Sequence, residues 1–379
     1  MGEARQRIVL MNLDRCDESP MSTPRVSPIL CCLALFACTL LPPSVLAADA
    51  PKPSGYEYFQ IGDIHAATPA QTHGGLMLMG GGTEVDAAFA WLVAQAGHGH
   101  IVILRASGDD ELQKYIYNDV GNVASVQTLI FHDRAQASDS RVLDIVRRAD
   151  GIFIAGGDQA NYVHFWKGTP LNALIDAHVR DGKPIGGTSA GLAILGRYSY
   201  GALDGGSITS KEALANPLGS AVTLVDDFLH LPPLYASQVI TDSHFDTRER
   251  LGRLLAFMAN LAKTQHTASI IGLGVDENTA LCIDEDGQAR FFSGHPGGHA
   301  DLIVLARFKE VERQGGRAAL DAYLEKRLSA GKPLELDGYS VTAIGTDSKL
   351  QFPSLQVSHP DLRETIDVRD GKLIKRETK

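Results

Sequence analysis

The sequence predicts an α/β fold built on a mostly parallel sheet flanked by helices, and three observations carry that expectation. Short, almost wholly aliphatic runs recur from about residue 74 onward: "GGLMLMGGG", "HIVILRASG", "SVQTLIF", "GIFIAGGDQ" and "KPIGGTS". Segments with helical spacing lie between them, at 84–95, 138–148 and 170–180. Several runs end in glycine or a small polar residue. A strand covered on both faces reads as a continuous apolar run, and helices between such runs are the crossovers of a parallel sheet. The carboxyl ends of the strands are where open α/β sheets place ligands.

Taken from the amino terminus, residues 1–47 read as a signal peptide with a polar lead. Arg25 precedes an apolar run at 29–41, and small residues surround a cleavage-like site near Ala47. The lead before Met21 points to translation beginning there, with Met11 the second choice. The run is shorter than the roughly 20 residues that span a bilayer, and Pro42 and Pro43 interrupt it, so no stable membrane anchor is expected. Phe36 sits where a lipoprotein signal needs a small residue ahead of Cys38. The expected location is periplasmic or secreted, with a mature chain starting near Ala48.

Cys16, Cys31, Cys32 and Cys38 fall in that leader, leaving Cys282 in the strand-like "TALCIDEDG". An intrachain disulfide and a cysteine metal site are therefore excluded from the mature chain, and Cys282 reads as a buried thiol. The chain of 379 residues is 44% hydrophobic, with a formal net charge of −10 spread without long blocks. That balance suits a soluble domain with a sizeable core and excludes a general nucleic-acid binder. Residues 48–73 read as a linker, 74–310 as the α/β domain and 311–379 as a C-terminal extension, with "GYSVTAIG" and "TIDVRDGKLIK" as strands.

The stretch "GKPIGGTSAGLAILG" carries the chemistry. "PIGG" is a strand entering a turn, "AGLAIL" begins a helix, and Gly187, Thr188, Ser189, Ala190 and Gly191 form the G-x-S-x-G of a nucleophile elbow. The flanking glycines remove side chains that would collide with neighbours, and the Ala190 amide is placed to face a developing oxyanion. In "ITDSHFDTRERLGRLLAFMANLAK", His244 ends a short strand just before a helix. Asp246 and Glu249 read as its capping box, and Leu251, Leu254, Leu255, Met258 and Leu261 as its apolar face. A histidine there is placed to act as a general base. Others, such as His98, His100 and His266, read as surface residues.

"IFIAGGDQ", then "GGTSAG", "DSHFDTRERLGRL" and "GLGVDENTAL" together resemble the cyanophycinase and dipeptidase E family of serine peptidases, most closely its cyanophycinase branch. The resemblance runs from about residue 74 to 305. It implies a class I glutamine amidotransferase-like fold, with Ser189 as nucleophile, His244 as base and Glu277 as the acid. Asp276 and Asp242 are neighbours able to orient the imidazole instead. It also implies Gly157 and Ala190 as oxyanion donors, and Gln159, Asp158, Arg248, Arg250 and Arg253 as substrate contacts, the arginines on the first turns of the capped helix. Glu249 and Arg253 are also spaced to pair with each other. No metal or cofactor is implied. The expected partner is a peptide or cyanophycin-like polymer with Asp linkages, and a homodimer is left open. One departure stands out: Ser243 occupies a position where cyanophycinases commonly carry glutamine. An α/β-hydrolase esterase, with His295 or His299 as the late histidine, and a non-catalytic exported binding protein are the rival readings.

Overall fold

The computed structural model describes residues 55–377; the expected leader, its cleavage point and its four cysteines lie outside the described residues. Five parallel strands form the centre of the first sheet, in the order β4 (Ser125–Ile130), β3 (His100–Arg105), β5 (Gly151–Ile154), β6 (Ile185–Thr188) and β2 (Gly75–Met79). Antiparallel strands extend it on both sides. β1 (Glu57–Gly62) pairs with β4, and beyond β2 come β11 (Thr279–Asp284), β12 (Gln288–Ser293), β15 (Lys349–Gln351) and β16 (Gln356–Ser358). A second sheet runs β9 (Val239–Asp242), β10 (Ile271–Val275), β13 (Ala300–Leu305), β14 (Leu336–Ile344), β17 (Leu362–Arg369) and β18 (Lys372–Glu377), with β9 and β10 parallel. A ribbon of β7 (Ser199–Tyr200) and β8 (Leu224–Val225) completes the strands.

The continuous apolar runs are explained by two cores. Along β2, Leu76 and Leu78 enter one core while Met77 and Met79 enter the other; on β3, Val102 and Leu104 alternate with Ile101 and Ile103 in the same way. Helix α1 (Asp86–Gln95) covers one face through Phe89 and Leu92. α3 (Ser140–Arg147), α4 (Gln159–Trp166) and α5 (Pro170–Arg180) cover the other through Val142, Trp166 and Ile175. Short helices α2 (Glu111–Tyr115), α6 (Ala190–Ala193), α7 (Ser210–Ala215) and α8 (Pro232–Ala236) lie in the connections. The second sheet packs on α9 (Leu251–Thr264) and α10 (Ala306–Arg327); Leu254, Leu255, Met258 and Leu261 are buried there with Leu320, Leu324 and Tyr339.

Several expected boundaries shift. The segment expected as a linker, 48–73, supplies the edge strand β1. The segment expected as an extension, 311–379, is woven into both sheets: β14, β17 and β18 continue the second, and β15 and β16 the first. β15 and β16 have three residues each, and the longer β14 and β17 alternate apolar with polar residues, a pattern that marks a strand but not the sheet it joins. Within 138–148, α3 starts only at Ser140, after a 3-10 turn at Ala135–Ser138, because the Asp139 carboxylate accepts from the amides of Arg141 and Val142 and fixes the start. His100 is buried, not on the surface: its Nδ1 lies 2.8 Å from Ser125 Oγ and its Nε2 3.1 Å from the Ala66 carbonyl.

His230 fastens the segment before α8 to α5. Its Nδ1 lies 3.0 Å from Asp176 Oδ2 and its Nε2 2.9 Å from Asp227 Oδ1, and the hydrogen bond to Asp176, then the field of both carboxylates, raises its pKa. A raised native pKa gives stability that is complete below the unfolded value and lost as pH rises through the native one. The melting-temperature gap between the native protein and His230→Gln should therefore be wider at about pH 5.5 than at about pH 8.5. Thermal denaturation at the two pH values measures it; equal gaps would refute the ion-pair account.

Candidate active site

The site lies where the carboxyl ends of β2, β5, β6 and β9 meet the turn between β10 and β11. Ser189 follows β6 with φ +55° and ψ −116°, outside the basins that non-glycine residues favour. The turn is tight because its neighbours have no side chains: a Cβ at Gly187 would come within 2.7 Å of the Gly191 carbonyl carbon, and one at Gly191 within 2.1 Å of the Ile154 carbonyl oxygen. The elbow read from the sequence is present, with Ser189 raised at its tip.

His244 reaches the serine from the second sheet. Its Nε2 lies 2.6 Å from Ser189 Oγ, and its Nδ1 lies 2.5 Å from Glu277 Oε1. A carboxylate can only accept, so Nδ1 carries the proton and Nε2 is free to accept from the serine hydroxyl. Gly81 sets the ring's position. A Cβ there would stand 2.3 Å from Cε1 of His244, and the Gly80 carbonyl accepts from the His244 amide at 2.7 Å. The glycines after β2 were visible as a strand ending, but their contact with His244 was not; the triple glycine was the available signal.

The three neighbouring carboxylates have separate tasks. Glu277 holds the imidazole. Asp276 Oδ1 accepts from the amides of Asp246 and Thr247 at 3.0 and 2.9 Å, and its Oδ2 lies 3.2 Å from the Thr247 hydroxyl. Asp242 binds Arg253, with Nε 2.7 Å from Oδ2 and Nη2 2.5 Å from Oδ1, and both residues are only 2% exposed.

These contacts correct the expected capping box. Residues 245–249 form a turn, Glu249 has φ +50°, and α9 begins only at Leu251. The Asp276 carboxylate, not that of Asp246, takes the amides of Asp246 and Thr247, and the carbonyls of His244 and Asp246 take those of Arg248 and Glu249. Of the three arginines only Arg253 is on the helix, and it pairs with Asp242 instead of Glu249. Arg248 stands in the turn with its side chain 52% exposed and Nη2 3.5 Å from Glu277 Oε1. Arg250 precedes the helix, and its Nη1 donates to the Ser243 carbonyl at 2.8 Å.

A cavity of about 230 Å3 opens beside Ser189 and His244. Gly157, Asp158 and Gln159 from the end of β5, Ala190, Ser243, and all three arginines line it, joined by Ala202, Gly206 and Ser207, which the sequence did not single out. Asp158 also accepts from the Ala160 amide and so starts α4; Gln159 Nε2 donates to the Tyr200 carbonyl at 3.4 Å. His295 lies 3.3 Å from the Glu277 carbonyl and His299 3.7 Å from Asp301, so neither stands at the serine. Among the described residues no group of three or more His, Cys, Asp or Glu side chains is placed to hold a metal, and no helix is long and apolar enough to cross a membrane.

A strained serine at a strand end, an imidazole on its hydroxyl and a carboxylate on that imidazole define the class of a serine hydrolase site on an α/β sheet. The profile of peptidase family S51 matches residues 78–290, and the chain belongs to that family. It is 37% identical over 176 residues to the cyanophycinase of Synechococcus elongatus, covering 46% of this chain and 48% of the relative. The cyanophycinase of Trichormus variabilis is 27% identical over 240 residues, covering 60% and 74%. The match to the first spans about half of that relative's length. A solved peptidase from an acI-B1 Actinobacterium superposes with a TM-score of 0.45 at 15% identity, over 62% of this chain and 92% of that one.

Burial lowers the pKa of His244 most; the Glu277 hydrogen bond raises it, and the charges of Arg248 and Arg250 lower it further. By NMR the imidazole should titrate below its ordinary value of about 6.5. Arg248→Ala should move the midpoint up and Glu277→Gln should move it down. A midpoint unmoved by either change would contradict this electrostatic assignment.

Proposed function

We propose that the chain is a serine peptidase that hydrolyses Asp-linked peptides, of the isopeptide, β-aspartyl or Asp-Arg kind, through an acyl-enzyme. The unbroken line from Ser189 through His244 to Glu277 carries this reading. Ser189 Oγ attacks the scissile carbonyl carbon as its proton passes to His244 Nε2, and Glu277 stabilises the imidazolium formed. The backbone amides of Ala190 and Gly157 receive the oxyanion. His244 returns the proton to the leaving amine as the C–N bond breaks. Water then repeats the sequence: His244 takes its proton, the hydroxyl adds to the acyl carbon, and Ser189 leaves with that proton.

The cavity argues for an acidic acyl group. Asp158 is its one lining carboxylate against three lining guanidiniums; Arg253 is bound tightly to Asp242, while Arg250 lies 3.6 Å from Asp242 and Arg248 3.5 Å from Glu277, looser pairs that leave donors turned to the space. Burial brings Arg250 down to about 10, still protonated at neutral pH. A bound carboxylate would satisfy such guanidiniums. Similarity to cyanophycinases supports an aspartyl polymer as one such substrate, and Ser243 in place of glutamine argues for side-by-side comparison with dipeptides.

Purified protein offered a cyanophycin film, β-Asp-Arg, isoaspartyl dipeptides and simple aryl esters should cleave an Asp-linked substrate in preference to the esters. Ser189→Ala should abolish labelling by a serine-directed phosphonate. Glu277→Gln should lower kcat roughly 10²- to 10⁴-fold, with Asp276→Asn far milder. Surviving label, or Asp276 as the costly carboxylate, would sink these roles.

The reading includes export, supported by the basic flank and apolar run of residues 1–47. N-terminal sequencing should find a soluble species starting near Ala48 in the periplasm or medium. A cytoplasmic chain retaining Cys31 and Cys32 would overturn it.

A further inference from the structure

The wall of the cavity formed by Ala202, Gly206 and Ser207 belongs to a loop, residues 201–208, that follows β7. Its tip has little rigidity of its own. Gly205 has φ +82°, and a Cβ at Gly205 or Gly206 would meet nothing within 4 Å. Two buried side chains hold the loop from within.

Arg253 is the first. A guanidinium has five N–H bonds. Nε and Nη2 each donate to one oxygen of Asp242, and Nη1 donates to Ser207 Oγ at 2.7 Å and to the Ile208 carbonyl at 3.1 Å. Four of the five are thus used inside the protein, on a residue only 2% exposed, leaving at most one for a ligand. Tyr200 is the second. Its hydroxyl accepts from the Ile208 amide at 3.0 Å and donates to the Gly206 carbonyl at 3.0 Å, and its ring stacks on Phe257 of α9, with centroids 4.8 Å apart. Because Asp242 also accepts from the Ser243 amide at 2.9 Å, the anchor that Arg253 uses is the strand end leading into His244.

We propose that Arg253 is a positioning residue and not a substrate ligand. With Tyr200 it forms a latch, attached at Ser207, that sets the loop 201–208 against the catalytic histidine and so determines which acyl groups the cavity accepts. In its kinetic consequence this rests on the peptidase reading above; in its mechanical consequence it does not.

The test uses full-length protein, with Ser207→Ala and Tyr200→Phe as variants that leave the buried ion pair intact and Arg253→Lys as a third. Hydrogen exchange without ligand should show the Ile208 amide, which donates to the Tyr200 hydroxyl, opening about tenfold faster or more in the first two. On the preferred Asp-linked peptide, KM should rise about three- to tenfold while kcat changes less than about twofold, and phosphonate labelling of Ser189 should persist. Unchanged exchange in both variants overturns the latch. So does Arg253→Lys raising KM while loop exchange stays as in the native protein, the signature of a direct ligand. If the native protein neither turns over nor labels, the peptidase reading fails, and the exchange result still decides for or against the latch.

Discussion

The close approach of the His244 imidazole to the backbone of Gly81 is the constraint on which the site depends. The serine belongs to the first sheet, through β6, and the histidine to the second, through β9. Their meeting at 2.6 Å requires the sheets to come together without side chains between them. Gly80, Gly81 and Gly82 provide that contact: Gly80 accepts from His244, Gly81 accepts from the Asn278 amide at 2.8 Å, and a Cβ on any of the three would collide with residues 244 or 276–278. Any side chain at Gly81 would displace the ring by more than a hydrogen bond tolerates.

The same junction explains why one turn carries both the acid and the brace. The chain leaves the second sheet at Val275 and enters the first at Thr279. The residues between them must cross beside the His244 turn. In that turn Asp276 faces the amides of Asp246 and Thr247 while Glu277 faces the imidazole. The brace replaces the helix cap that Asp246 does not make, and it leaves residues 245–249 as a turn that carries Arg248 over the cavity.

Much of this was legible in the sequence. The parallel core followed from runs such as "HIVIL", because a strand covered on both faces has no polar side to show. The elbow followed from its glycines, and the serine, histidine and glutamate came from linked motifs that fold together. Other features were hidden for physical reasons. Asp246 and Glu249 have the spacing of a capping box, but a carboxylate thirty residues away in sequence competes better for those amides, and local spacing carries no trace of it. Arg253 and Glu249 likewise match the pairing rule of a helix surface, whereas Arg253 is on the buried side, against Asp242. After residue 311 the alternation of β14 and β17 marks strands but carries no sign of their partners, and β15 and β16, three residues each, have no pattern to read.

Charge ties these parts together. A buried ion pair recovers the cost of desolvation only when its geometry is good and its remaining donors are met, and Arg253 meets that condition through both oxygens of Asp242 and through Ser207 and Ile208. It leaves the electrostatics of the cavity to Arg248 and Arg250, whose positive field lowers the basicity of His244. Arg248 also lies within 3.5 Å of the carboxylate that raises it. An acidic acyl group of the kind proposed above would offset their field at the imidazole and so strengthen the base. The turn that Asp276 braces thus sets both the place of Arg248 over the cavity and its field on the imidazole.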